Sequence, residues 1–269
     1  MELVNTHTHT SLCGHGEGSV YELVAAALKG GISTLALTEH FPLSSHFDPK
    51  TYLSMPWEKL DEYCKEVLLA RKNNPQMEIL LGCEFDWLGD YEDREPAQLD
   101  LSPFDIVLGS VHFIDQWAFD DPAQRSRWEE EGPDYIWKRY FDTWCEAVVS
   151  DLPFTVMSHP DLCKKFAYYP SYDVRRLYDQ AAQAIQSADR MIEVNTSGAF
   201  YACAEMYPAP ELLKTFCRAG IPCTVGSDAH HPDNVTRGIK DAYRLMYECG
   251  YRELTVPTRD GDRRTIIIE

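Results

Sequence analysis

Seven short apolar runs in this chain end on small polar residues, and six of the seven end on His, Glu or Asp. They read LVNTHTH (His7, His9), STLALTEH (His40), EILLGCE (Glu84), DIVLGSVH (His112), FTVMSH (His159), MIEVNTSG (Asn195, Ser197) and CTVGSDAH (Asp228, His230). Imidazole and carboxylate are the side chains that bind zinc, iron or manganese. Set at the ends of successive parallel strands, they would gather at one mouth of an α/β barrel. The chemistry this points to is hydrolysis assisted by several metal ions.

His7 and His9, two apart on an extended segment, share one side of a strand, so both imidazoles can reach one ion. An H-x-H pair is a weak signal alone. It gains force because His15, His40, Glu84, His112, His159, Asp228 and His230 follow in equivalent settings, leaving only His46 and His231 outside strand ends or the loop after the first strand. Independent core or surface histidines would have no reason to fall there together, whereas clustered His, Asp and Glu mark metal or catalytic sites.

The elements that must position these residues alternate along the chain. Between the apolar runs lie stretches with helical spacing at 19–29, 56–73, 133–149, 171–187, 209–219 and 234–249. Strand ends recur from 28 residues apart (Glu84 to His112) to 47 (His112 to His159), room in each interval for a strand and a helix. Ser19 with Glu22 three residues on forms a capping-box pattern, and Gly30-Gly31 suits the C-terminal end of that helix. Pro56, Pro133 and Pro210 stand near helix starts, where a missing N–H costs little. Irregular stretches at 41–55, 88–103 and 114–132 follow ligand-bearing strand ends and would rim the mouth. The tail, 253–269, reads as a hairpin around Arg259-Asp-Gly-Asp262.

At 269 residues, 44% hydrophobic and 25% charged, the chain has room for one α/β barrel, and residues 1–269 are expected to form a single domain. Nine cysteines without a C-x-x-C pair fit free thiols in a reducing compartment, with Cys83 and Cys223 serving as small core residues. With no apolar run of membrane-spanning length and no leader pattern, the expectation is a cytoplasmic protein without a membrane partner. The net charge of −18 argues against a partner in long nucleic acid, which needs clustered Lys and Arg. A small phosphorylated substrate remains compatible, because bound cations reverse the sign locally. Nothing here bears on oligomeric state.

The set HTHT, TEH, the Glu of GCE, SVH, SHP and GSDAH, in this order from His7 to His230, resembles the polymerase and histidinol phosphatase (PHP) superfamily. Within it, HTHTSLCGHGEGS, SHPDLCKKF and EVNTSG are similar to the histidinol-phosphate phosphatases. The resemblance implies a distorted, TIM-like (β/α)7 barrel carrying three divalent metal ions, zinc, iron or manganese. It would place one ion on His7, His9, Glu84 and Asp228, a second on Glu84, His112 and His159, and a third on His15, His40 and His230. Glu84 would bridge two cations, its charge offsetting their repulsion, and a water shared by two ions would ionise near neutral pH.

The expected reaction is in-line attack of that hydroxide on a small phosphate monoester, L-histidinol phosphate above others. Glu84, Asp228 and His230 are the catalytic candidates, the last two as proton donors to the leaving alkoxide. Lys164 and Lys165, close behind His159, are candidate phosphate contacts, the plainer reading being a solvated basic pair. Ser197 and Glu17 are further substrate candidates; Asp86, Asp115 and Asp161 could receive a cationic substrate group, and Phe41, Trp87, Phe113 and Trp117 could pack on an imidazole. Histidinol phosphatases of this type use an Arg near the end of the sixth strand, but here NTSGAFY carries Phe200 and Tyr201. Three rivals stand beside this reading: a PHP phosphoesterase acting on nucleotides or short oligonucleotides, an amidohydrolase built on a metal barrel, and a metal-binding PHP module without activity.

Overall fold

The structure, a computed structural model, describes residues 2–269. Seven parallel strands follow one another around a sheet in chain order: β1 (Leu3–Asn5), β2 (Ile32–His40), β3 (Glu78–Asp86), β4 (Ile106–Ser110), β5 (Val156–Met157), β6 (Met191–Asn195) and β7 (Cys223–Gly226). The sheet closes on itself just beyond β1 and β7. The Thr6 amide donates to Val225 O (2.9 Å), Asp228 N to His7 O (2.9 Å) and His9 N to Ala229 O (2.9 Å). Closure leaves no free edge and brings the first ligand strand beside the last.

Helices α1 (Val20–Lys29), α2 (Leu60–Asn73), α3 (Pro133–Val148), α4 (Arg175–Ser187), α5 (Pro210–Arg218) and α6 (Ile239–Glu248) connect and follow these strands. The Ser19–Glu22 capping box forms as expected, with the Ser19 amide donating to the Glu22 carboxylate at 2.8 Å. Val20, Leu23, Val24 and Ala27 bury one face of α1 at the spacing an amphipathic helix requires, and Gly31 takes a left-handed turn (φ +77°) after its end. Pro133 and Pro210 open α3 and α5.

Three helices start later than their spacing predicts. A tight turn at Trp57–Lys59 precedes α2, and α4 begins at Arg175 rather than 171. Residues 234–238 are not the first turn of α6, because Gly238 adopts φ +76° and reverses the chain there. Strict alternation also fails between β3 and β4, where the connection holds only short turns at Gly89–Tyr91 and Pro96–Leu99. That segment, rich in acids and prolines, offers no apolar stripe for a helix to bury. The expected C-terminal hairpin is present, Glu253–Pro257 pairing antiparallel with Arg263–Ile267. Among the described residues no helix is long and apolar enough to cross a membrane, and all nine cysteines are free, with Cys83 and Cys223 buried.

Alternation along the strands separates two apolar clusters. Leu35, Leu37, Ile79, Leu81 and their neighbours pack outward against the helices, in a cluster that runs from Leu3 to Ile268. Ala36, Leu80, Ile106, Leu108, Val156 and Met191 form a smaller cluster of their own, the packed floor of the barrel. The same parity, continued along each strand, carries Ala36 to His40, Leu80 to Glu84, and Met191 to Glu193 and Asn195. Pairing keeps them level, with Ala36 opposite Leu80 and His40 opposite Glu84. A one-residue slip would turn the polar set outward.

Gly82 sits between floor and mouth, and a Cβ there would lie 2.6 Å from Ile106 Cγ2 and 2.7 Å from Thr38 Cγ2. Gly82→Ala should therefore overpack the barrel and cost about 1–3 kcal/mol. A fall in the urea midpoint at unchanged m-value would show it; an unchanged midpoint would contradict this packing.

Candidate metal centre

Glu84, 1% exposed, stands at the centre of the mouth. Its Oε2 faces His7 Nε2 (3.2 Å), His9 Nε2 (3.3 Å) and His40 Nδ1 (3.2 Å). Its Oε1 accepts from the Ser110 hydroxyl (2.6 Å), lies 2.9 Å from His159 Nε2 and 3.6 Å from His112 Nε2. Across the mouth, Asp228 Oδ1 is 3.3 Å from His9 Nε2, 3.5 Å from His230 Nδ1 and 3.7 Å from His7 Nε2. The other oxygen of Asp228 accepts from Ser197 (3.2 Å) and Asn195 (3.3 Å).

Further carboxylates hold the imidazoles from behind. Glu193 Oε1 is 2.9 Å from His7 Nδ1 and also accepts from His159 N (3.0 Å) and Asn195 Nδ2 (2.9 Å). Asp86 Oδ1 is 2.8 Å from His112 Nδ1, and Glu39 lies 3.5 Å from His9 Nδ1 while accepting from the Thr10 amide and hydroxyl. Such partners fix ring orientation and tautomer and turn the opposite nitrogen toward an ion. His15 and His230 are oriented by carbonyls instead: His15 Nδ1 lies 2.9 Å from Tyr52 O, and His230 Nδ1 3.1 Å from Asp228 O. A carbonyl can only accept, so in both rings Nδ1 carries the proton and Nε2 keeps its lone pair.

His7 Nε2, His9 Nε2, His40 Nε2, His159 Nδ1 and His230 Nε2 are buried without a hydrogen-bond partner. Burying so many unsatisfied nitrogens would be costly unless cations engage them. Donor atoms of His7, His9 and Glu84, of His9, His40 and His230, and of His40, Glu84 and His112 lie within 4.8 Å of one another in each set. The centre thus fits several divalent ions. Cys13 also approaches His15 and His230, but burial and Glu39 push its thiol up and it donates to Thr10 O at 3.3 Å, so it stays a thiol.

The electrostatics divide the imidazoles. Burial works against charge on His9 and His112, yet Asp228 and Glu39 hold the first up at about 9, and Asp86 and Glu84 the second at about 10. Burial and the charge on His9 push His230 down to about 3. Burial would raise Glu84 and Asp228, but the surrounding imidazoles outweigh it and keep both carboxyls well below their usual range. Both side chains are therefore held toward the carboxylate form that a cation would need.

The cluster floors a cavity of about 470 Å³. Of the expected substrate contacts, Lys165 and Ser197 line it, and Lys164 and Glu17 do not. Lys164 is 1% exposed and turned away, its ammonium held by Glu205 (2.7 Å), Met206 O (2.7 Å) and Asp161 (3.1 Å). Glu17, with its side chain 77% exposed, faces His231 at 3.6 Å. Asp161 is thus Lys164's partner, Asp115 pairs with Arg139 (2.9 Å), and Phe41 and Trp117 lie in the core. Sequence reasoning missed Glu193 and Glu39 as supports; Asp86, expected near a cationic substrate group, lines the cavity and also holds His112. The signal for Glu193 was its place two residues before Asn195, on the inward parity of β6.

Glu193→Gln should keep the fold but loosen His7 and His159 together. Metal content after dialysis against a chelator is expected to fall, with affinity reduced about 10- to 100-fold, and retention equal to wild type would refute the orienting role.

The profile of the PHP domain matches residues 5–197. The chain is 32% identical to a probable histidinol-phosphatase of Deinococcus radiodurans over 94% of its own length and 96% of the relative's, and 28% identical to the histidinol-phosphatase of Bacillus subtilis over 87% and 96%. A putative histidinol phosphatase from Listeria monocytogenes superposes with a TM-score of 0.75 at 25% identity, covering 88% of this chain and 98% of that one. The histidinol phosphate phosphatase of Lactococcus lactis, solved with zinc, L-histidinol and phosphate, shares the fold at a TM-score of 0.79 and 21% identity, over 96% and 97% of the two chains. By the profile and by the near full-length relative, this chain belongs to the PHP domain family.

Proposed function

We propose that this chain, taken over residues 1–269 as one catalytic unit, is a metal-dependent phosphoric monoester hydrolase that converts L-histidinol phosphate to L-histidinol and phosphate in the cytoplasm. The observation that carries the chemistry is the ring of buried, unpartnered imidazole nitrogens around Glu84 and Asp228 at the floor of a cavity. The names of the near full-length relatives support the substrate.

Three ions, of zinc, iron or manganese, are assigned to His7, His9, Glu84 and Asp228, to Glu84, His112 and His159, and to His15, His40 and His230. When bound, such ions neutralise a phosphate dianion and acidify water near neutral pH. The protein's own part is to orient and to move protons. Glu193, Glu39 and Asp86 hold three rings in place, and Ser110 fixes the rotamer of Glu84. Asp228, ionised and steadied by Ser197 and Asn195, takes a proton from the attacking water at its carboxylate and, with His230 beside it, passes one to the leaving alkoxide. Lys165 lines the cavity wall with its charge met by Asp120 at 2.8 Å. Asp121 lines the same cavity and suits the cationic end of the substrate, with Leu43, Leu53 and Phe113 offering apolar surface to an imidazole.

Phosphate release from histidinol phosphate by the metal-loaded protein, compared with a nucleoside monophosphate and a short oligonucleotide, tests the substrate; preference for either nucleotide would sink it. Chelation should abolish turnover and restored metal should return it. Glu84→Ala is expected to remove activity by several orders of magnitude and to lower metal content, since it deletes the carboxylate shared by two ion sets. In labelled water, phosphate should acquire a single solvent oxygen, and a trapped phosphorylated residue would contradict the direct displacement.

A further inference from the structure

The stretch after β6 carries Phe200 and Tyr201 where the resemblance leads one to expect an arginine. In the structure each of those rings has a cation on its face. Lys165 Nζ lies 4.9 Å from the centre of the Tyr201 ring, and the guanidinium carbon of Arg237 lies 4.0 Å from that of Phe200. Both cations line the cavity of the metal centre. They differ in one respect. Lys165 is neutralised by Asp120 at 2.8 Å, whereas among the described residues Arg237 has no carboxylate within ion-pair distance, and its Nε is buried without a partner.

We propose that Arg237 grips the phosphoryl group of the substrate, entering from the loop after β7 and seated on Phe200; this rests on the phosphatase reading above. The loop is shaped for that delivery. The Thr196 hydroxyl, at the end of β6, donates to Arg237 O at 2.7 Å. Gly238 reverses the chain at φ +76°, so close to Thr196 that a Cβ on it would stand 2.8 Å from Thr196 Cβ. Together they pin the backbone of Arg237 to the sixth strand end, although the residue lies some 40 positions further along the chain (Thr196 to Arg237, 41).

The chemistry selects an oxyanion. In a chain with 43 acidic and 25 basic residues, an arginine without a carboxylate partner in a half-enclosed cavity is an uncompensated charge, which a bound anion offsets. A planar guanidinium donates two parallel hydrogen bonds to two oxygens of one phosphate, a fit that a point charge lacks. Stacking on Phe200 holds the plane before the ligand arrives, so less freedom is lost on binding.

The test is the affinity of the metal-loaded protein for inorganic phosphate, by calorimetry, beside steady-state kinetics on histidinol phosphate. Arg237→Met should retain the metal content of wild type, bind phosphate on the order of 10- to 100-fold more weakly, and raise KM by a similar factor. Arg237→Lys should recover only part of that loss. Phe200→Ala, at a ring already 53% exposed and safe for folding, should weaken phosphate binding severalfold by unseating the guanidinium. Phosphate affinity within twofold of wild type in Arg237→Met overturns the proposal. Should that variant fail to fold, unchanged affinity in Phe200→Ala overturns it, and weakened affinity supports it. Binding needs no turnover, so a wild-type protein that binds phosphate through Arg237 yet leaves histidinol phosphate intact would uphold the grip and refute the substrate, while a wild type that binds no phosphate would refute the grip.

Discussion

A fully buried carboxylate surrounded by five imidazoles governs this molecule. Glu84 cannot be stable as a charge at 1% exposure unless positive charge compensates it, and His7, His9, His40, His112 and His159 stand within 3.6 Å of its oxygens. The imidazoles in turn have nitrogens that no protein group satisfies. Neither set makes sense without the other, and the pair of them makes sense around cations. The outer carboxylates Glu193, Glu39 and Asp86 repeat the logic one layer out, so negative charge alternates with imidazole from the mouth into the barrel wall.

That arrangement depends on strand register. Level pairing of His40 with Glu84 and closure of β1 against β7 bring His7 and His9 to Asp228 across more than 200 residues of chain. The apolar floor below, from Ala36 to Met191, fills the barrel and leaves the polar layer no room to sink. Loops carry what the strands do not. The cavity wall draws on the segments after β2, β4, β5, β6 and β7, as expected where a rigid scaffold holds variable loops.

The corrections fall in those loops. Lys164 and Lys165 are adjacent in sequence and look equivalent, yet one is sequestered by Glu205 and Asp161 while the other reaches the cavity. The short turn at Leu162–Lys164 sends successive side chains in different directions, and nothing in a pair of lysines announces which way each will point. Arg237 was hidden for a related reason. Residues 234–238 have the spacing of a helix, and only the left-handed Gly238, in contact with Thr196, shows that the segment is a loop turned toward the site.

What the chain's residues determined unaided was the parallel barrel and the gathering of imidazoles and carboxylates from His7 to His230 at its mouth, because a strand places its end by a period of two and a run of apolar residues reveals that period without any partner. Helix caps at Ser19, Pro133 and Pro210 were legible on the same ground, being local hydrogen-bonding facts. Tertiary structure alone decided which cations face the cavity, which carboxylates orient the rings, and that Phe200 is a seat and not a gap in the pattern. Those outcomes turn on contacts between residues 26 to 186 positions apart, such as Glu39, Glu84, Glu193 and Arg237 with their partners, and no local rule of sequence specifies a contact at that distance.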